Sequence, residues 1–551
     1  MWYRGLFFLL FFTVLFNEPL FSQDLSTVVF PSEDEIYESL KLGEISYREF
    51  LILQELIING VDSNNLYLLD DIPNLSFFKF NKPTFKTSLE KEQQIPFLKE
   101  NKRGKRWGKL YGHIKYKYYQ RLKENSISKY RSSLKLYYNR NISTDIKLQR
   151  DFNGKERFLY RNFSYKNNKG KIEEITAGNF YQRLGLGTIL GYRGKLFDFS
   201  TKLDRESFLF PDYGGYNGLY INWQPSKINI KNVISINRDT NFQLSSLGSM
   251  ITYKHKKYTP GIIVGVNNLR NRRSNENITT YQIGFYSAYR YHNGYNSLEI
   301  SAQREKQNHF GAIVTEGQHQ FRKTAIKYAG WIYDDHFYDL TGGSKAGNIY
   351  HQNYLQEIEF DYSDKRSGQK GFLFRTMVIL FSDISLTNSL IYATLNADTT
   401  EVQWLTEFTK KVNDNFLINL YYLEKRHKRN KLNYDDITLK RQMRIETKYQ
   451  SPKLYLRNYV SYNMKTDKND YFSLFTYLKY RYQTGSQMEI WLNLSEIDTR
   501  TKTLNYLYGF IKNNFYLLNN LKISVKFNYN YNRTTKEKHQ TEVSFDLSYL
   551  I

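Results

Sequence analysis

The chain contains no cysteine. That absence excludes a disulfide framework, a cysteine-ligated metal site and a lipid anchor carried on cysteine. Beyond the N-terminus there is no run of about 18 consecutive apolar residues, the length that a spanning helix requires. A helical membrane protein is therefore excluded as well. Internal repeats are also missing, which argues against a soluble propeller, whose blades repeat.

What the chain does have is aromatic. Of its 551 residues 49 are Tyr and 38 are Phe, and aromatics make up 17%. Mean hydropathy is nonetheless negative, at -0.63. The pairing suits a barrel whose outer face is aromatic and whose inner face and loops are polar. The last stretch displays the pattern plainly. Val543, Phe545, Leu547, Tyr549 and Ile551 alternate with Ser544, Asp546, Ser548 and Leu550. Alternate side chains of a strand point to opposite faces, so one face is apolar and the other mostly polar.

The same period recurs from Gly108 onward. Leu110, Gly112, Ile114, Tyr116 and Tyr118 alternate with Lys109, His113, Lys115 and Lys117. Similar runs begin at Tyr130, Tyr281, Ile437, Phe472 and Leu521, separated by turn signals such as Asn153-Gly154 and Asn293-Gly294. Residues 180–265 and 300–350 are harder to divide into strands. At roughly 10 residues per spanning strand plus turns, 108–551 would hold roughly 20–26 antiparallel strands of one transmembrane β-barrel.

The N-terminus reads differently. Arg4 precedes an apolar run at 6–16, followed by Pro19 and a small-residue exit. This is the pattern of a secretory signal at 1–22, with cleavage after Ser22. From Gln23 to Ser76 eleven acids face two bases, a net charge of −9, while 77–551 carries +34 of the total +25. Segment 23–76 is expected to be a small helical module. Ser32 with Glu35, and Ser46 with Glu49, form capping boxes, Gly43 and Gly60 stop the helices, and a third short helix ends at Pro73. Residues 77–107 form a linker closing on Lys99, Lys102, Arg103, Lys105 and Arg106. These suit a solvated tether at a membrane rim, or a phosphate-binding arm.

If the aromatic face meets lipid, then Lys115, Lys117, Lys135, Lys440, Arg444, Lys479, Arg481, Lys522 and Lys526 line the lumen. Such a lining would favour an anionic solute. The same abundance of lysine also fits AT-biased codons, and basic residues on the outer surface would suit anionic headgroups.

Two passages carry a resemblance. Residues 60–76 look like the first helix and hairpin of a helix-hairpin-helix motif, with Ile72, Pro73, Asn74, Leu75 and Ser76 at the hairpin. Ala177-Gly178-Asn179-Phe180, with Leu184-Gly185-Leu186-Gly187-Thr188-Ile189-Leu190-Gly191, is similar to a Gly-rich strand near the start of certain barrels. Together they resemble helix-hairpin-helix-bearing outer-membrane β-barrel proteins of Bacteroidota and neighbouring phyla. The resemblance implies a Gram-negative-type outer membrane, with membrane lipid and the barrel-assembly machinery as partners. In soluble relatives of the motif the hairpin grips DNA phosphate. Here Asn74 replaces a hairpin glycine, no second helix follows Ser76, and the charge of −9 opposes a polyanion. Nucleic acid is not the expected partner, and the acid is better used as a plug or cap on a basic barrel.

The remaining signals are weak. Thr27-Val28-Val29 loosely resembles an energy-coupling box, but an extended arm explains it. Asp334, Asp335, His336 and Asp339 could hold a hard cation, but a solvated acidic loop is the simpler reading. Nine scattered His mark no catalytic constellation, and neither an enzyme nor a cofactor is expected. The readings that remain are passage of a solute, a non-transport role in scaffolding or adhesion, and DNA or polyanion uptake.

Overall fold

A computed structural model of the chain describes residues 110–550, apart from 192–208, 210–214, 338–367 and connecting stretches of five residues or fewer. The signal, helical-module and linker expectations for 1–107, the hairpin at Ile72–Ser76 included, lie outside the described residues.

The described chain is all strand and turn, with no helix among the described residues. It begins with β1 (Leu110–Arg121), β2 (Ser128–Tyr138), β3 (Ile142–Arg150), β4 (Glu156–Lys166) and β5 (Ile172–Phe180). Then follow β6 (Tyr216–Trp223), β7 (Ile228–Arg238), β8 (Phe242–Tyr253), β9 (Tyr258–Asn271) and β10 (Asn277–Tyr291). The middle comprises β11 (Gly294–Glu305), β12 (Asn308–Gln320), β13 (Thr324–Tyr333), β14 (Gln369–Phe381) and β15 (Ile384–Leu395). Next come β16 (Thr399–Lys411), β17 (Phe416–Lys431), β18 (Tyr434–Gln450), β19 (Leu454–Lys465) and β20 (Lys468–Arg481). The last are β21 (Gln487–Asp498), β22 (Leu504–Leu518), β23 (Leu521–Asn532) and β24 (His539–Leu550). Twenty-four strands fall within the expected range.

Each strand pairs antiparallel with its sequence neighbours, and β1 pairs with β24, so the sheet closes. Closure leaves no strand edge unpaired. The seam keeps the alternation in phase. Tyr116 faces Leu547 and Tyr118 faces Phe545 on one side, while Lys117 faces Asp546 on the other. A slip of one residue would bring every lysine to the apolar face.

The outer face is apolar and bare. Ile283 (56% exposed), Leu247 (54%) and Ile445 (57%) are examples, and Trp404, Phe285 and Phe545 are exposed too. A contiguous exposed apolar surface of this kind marks contact with another apolar phase. A 12-residue strand such as β1 rises ~40 Å along its axis, enough at a tilt of roughly 40° to cross ~30 Å of hydrocarbon.

The two rims differ. The connections leaving even-numbered strands have two to five residues, and β1 starts and β24 ends at that rim. The opposite rim carries two connections of 35 residues each, after β5 and after β13.

One expectation fails here. The Gly-rich passage is split: Ala177–Phe180 ends β5, but residues 181–191 form turns and bends rather than a strand. Gly185 and Gly187 take φ values of +58° and +85°, left-handed conformations that glycine adopts without strain. The segment turns inward instead of continuing the sheet.

Candidate functional site: the barrel interior

The inner wall has two arcs of different chemistry. On β8–β10 the inward wall narrows to small residues, while β6–β15 as a whole also present buried polar side chains such as Asn229, Gln282, Glu299 and Glu316. Gly248 on β8 and Gly265 on β9 pair in register, and Gly284 on β10 lies diagonal to them. The segment after β5 fills the space that these residues leave. Leu184, Ile189 and Leu190 pack with Phe180, Tyr216, Tyr220, Val233, Met250 and Ile263. Leu186 packs with Ala312, Val314, Trp331, Tyr333, Leu373 and Ile391, and with Phe337 from the second long connection. Both long connections therefore reach the same wall.

Polar contacts fix the inward segment. Leu184 N–H donates to Leu190 O at 2.9 Å and closes the segment on itself. Tyr216 Oη donates to Gly191 O at 2.5 Å. Glu299, on the inner face of β11 and 0% exposed, accepts from the N–H of Leu186, from the N–H of Thr188 at 3.1 Å and from the Thr188 hydroxyl. Thr188 also reaches the Ser301 hydroxyl. Nearer the rim of the long connections, Asn267, Gln282 and Gln303 form a ladder of amide hydrogen bonds at 3.0 Å each.

The second arc runs through β16–β24 and on to β1–β3. All nine basic residues singled out in the sequence occupy positions opposite the exposed apolar face. The registers place Lys115, Ser548 and Lys522 on one row. Lys117 lies 3.5 Å from Asp546. Lys135 is buried with its ammonium over the Tyr137 ring. Lys440 is opposite Lys425. Lys479 is opposite Glu489, and Arg481 opposite Gln487. Arg444 sits 3.9 Å above the Tyr459 ring and Lys526 3.9 Å above the Phe510 ring.

Two features of this arc escaped sequence reasoning. The first is its acids. Lys425 meets Glu401 at 3.0 Å, and Glu446 takes both Lys448 (2.8 Å) and Arg457 (3.0 Å). Their signal was available, since each acid occupies an inner position of its strand. The second is an aromatic row across β19–β22. Tyr459 stacks on Phe475 at 4.6 Å, Phe475 meets Trp491 edge-on at 5.2 Å, and Trp491 lies parallel to Phe510 at 5.8 Å. Many basic residues of this arc are therefore engaged by a carboxylate or a ring, although bases still outnumber acids along it.

Asp334 is the only described member of the acidic loop cluster whose contacts are seen. It accepts a hydrogen bond from Gly311 N–H at 2.5 Å, and no metal-like group of side chains occurs among the described residues. Asp335, His336 and Asp339 lie outside the described residues.

No protein-family model matches the chain, and no curated protein matches it. Among solved structures it is similar to the FrpB iron transporter of Neisseria meningitidis at 10% identity, over 80% of this chain and 81% of that one, with a TM-score of 0.43. It is similar to the siderophore receptor PirA of Pseudomonas aeruginosa at 9% identity, over 81% of each chain, with a TM-score of 0.44. The P pilus usher PapC translocation pore matches at 8% identity, over 80% of this chain and 99% of that one, with a TM-score of 0.36. At these values the likeness assigns no cargo to this chain, which is a closed 24-stranded antiparallel β-barrel.

Proposed function

We propose that the chain is an outer-membrane barrel of a Gram-negative-type bacterium and that it carries a polar, preferentially anionic solute across that membrane. The observation that carries the reading is the division of the closed sheet into a bare apolar outer face and an inner wall with more basic than acidic residues. Short turns at the rim where β1 begins and β24 ends support a periplasmic position for that rim. The acidic segment 23–76 precedes β1 in the chain, and its charge of −9 suits a plug or cap for a basic interior. The resemblance to helix-hairpin-helix-bearing barrel proteins supports the same compartment. Insertion would depend on the barrel-assembly machinery, and no catalysis or cofactor belongs to this reading.

Planar-bilayer recording of the full chain tests it. Conductance with a reversal potential displaced toward the chloride equilibrium is the expected result in a salt gradient. A silent bilayer containing folded barrel would reject passage. The packed arc along β6–β15 favours that second reading, a non-conducting envelope scaffold. DNA uptake is tested by salt-dependent retention of DNA, and none is expected.

A further inference from the structure

We infer that residues 184–190 are a built-in constriction of the barrel and that Glu299 is its positioning residue. The inference rests on the passage reading and names the element that limits passage.

The wall is shaped for the segment. A β-carbon at Gly248 would overlap Leu190, one at Gly265 would lie 2.5 Å from Ile189 Cγ2, and one at Gly284 would lie 2.9 Å from Ile189 Cδ1. Glycine weakens a strand interior and marks close approach of another backbone or ligand. Three neighbouring strands carry it at one spot, and this chain's own segment occupies the gap.

The carboxylate supplies the polar half of the fit. A buried carboxylate without partners is costly, whereas one that accepts several hydrogen bonds is held firmly. Glu299 receives two backbone N–H groups and one hydroxyl from a stretch of three residues. The left-handed Gly185 and Gly187 flank Leu186, whose N–H points at the carboxylate. Seat and segment thus require each other, and the volume they fill is taken from the lumen. Passage would then run between this segment and the charged arc.

The test uses full-length protein in planar bilayers, with the heat-dependent gel shift of the folded barrel as a control. Three forms are compared: wild type, Glu299→Ala, and Glu299→Ala carrying Thr188→Cys and Ser301→Cys. The chain has no cysteine of its own, so the engineered pair is unambiguous. Glu299→Ala should raise single-channel conductance at least twofold and admit larger sugars in a liposome-swelling assay. Oxidation of the cysteine pair should return conductance to the wild-type value, and reduction should raise it again. A purely structural role for Glu299 would not produce that reversal. If Glu299→Ala conducts as the wild type does while the pair still cross-links, the constriction is overturned and passage stands. If every form is silent, both fall. A silent wild type with a conducting Glu299→Ala supports the constriction, as a closure, and overturns passage through the unaltered barrel. Should Glu299→Ala fail to assemble, Glu299→Gln replaces it in the same comparison.

Discussion

The two arcs of the inner wall face the same enclosed space, yet they are built by opposite means. Along β8–β10 the wall withdraws its side chains to glycine and a loop from the rim fills the gap with Ile189 and Leu190, while Leu186 packs on β12–β15. Along β16–β24 the wall fills itself, with ion pairs, stacked rings and cations over their faces. A barrel of this width has more interior than its wall alone can pack. One arc meets that need with chain from elsewhere and the other with long charged side chains, which keep a polar surface. The second arc carries the denser charge, so a path for ions would follow it.

The largest effect should come from the charged arc. Glu446 is fully buried between Lys448 and Arg457. Glu446→Ala leaves both cations without their carboxylate, and should cost ~3–5 kcal/mol of stability in a denaturant titration in detergent. A loss under ~1 kcal/mol would be the behaviour of a hydrated surface pair. It would weaken the contrast between an arc filled by its own ion pairs and one filled by the inserted segment. Next is the glycine seat. Gly248→Ala introduces a methyl onto Leu190 and should destabilise by ~1–3 kcal/mol through overpacking. Gly330→Ala, whose new methyl would meet nothing closer than 3.5 Å, should be neutral or should gain up to ~1 kcal/mol. Opposite signs from one substitution would separate a glycine that makes room from one that does not.

The same contrast explains what was legible in the sequence. Strands β1, β2, β18, β20, β23 and β24 announce themselves because outward-facing Ile, Leu, Phe or Tyr alternate with mostly polar or basic residues. The stretches that resisted division, 180–265 and 300–350, belong largely to the packed arc. There polar inner positions such as Asn229, Ser246 and Glu316 are interrupted by Val233, Gly248, Met250, Ala312 and Val314, so the period of two is broken in places. Ala312 and Val314 face inward while Ile313 between them faces outward, and no polarity marks the difference. The Gly-rich passage reads as a strand because its apolar residues are real core residues. Its core, however, is a wall formed by strands up to β15. Glu299 could not be singled out, because its partners Leu186 and Thr188 lie more than a hundred residues away. The basic lining followed from parity alone. Its acidic partners share that parity, and their omission made the wall look more cationic than it is.

Two smaller effects probe how far the second arc spends its charge. Lys115→Glu with Lys522→Glu alters one row of the wall, beside Ser548. Its stability cost should be slight, but the reversal potential should move toward the cation side if that row borders the path. An unchanged reversal potential would place the path elsewhere.

The smallest effect concerns Lys526, whose ammonium lies 3.9 Å above the Phe510 ring. Lys526→Met keeps most of the aliphatic stem and removes the charge, so it isolates the attraction between cation and ring. At a nearly dry position that attraction is worth ~1–2 kcal/mol. Phe510→Leu removes the ring but keeps an apolar filler, and the two changes together complete a double-mutant cycle. A coupling of ~1 kcal/mol or more would mean that the ring holds the cation, and that Lys526 contributes to the stability of the wall more than to its anion preference. A coupling near zero, with anion preference reduced by Lys526→Met, would return Lys526 to the lining of the path.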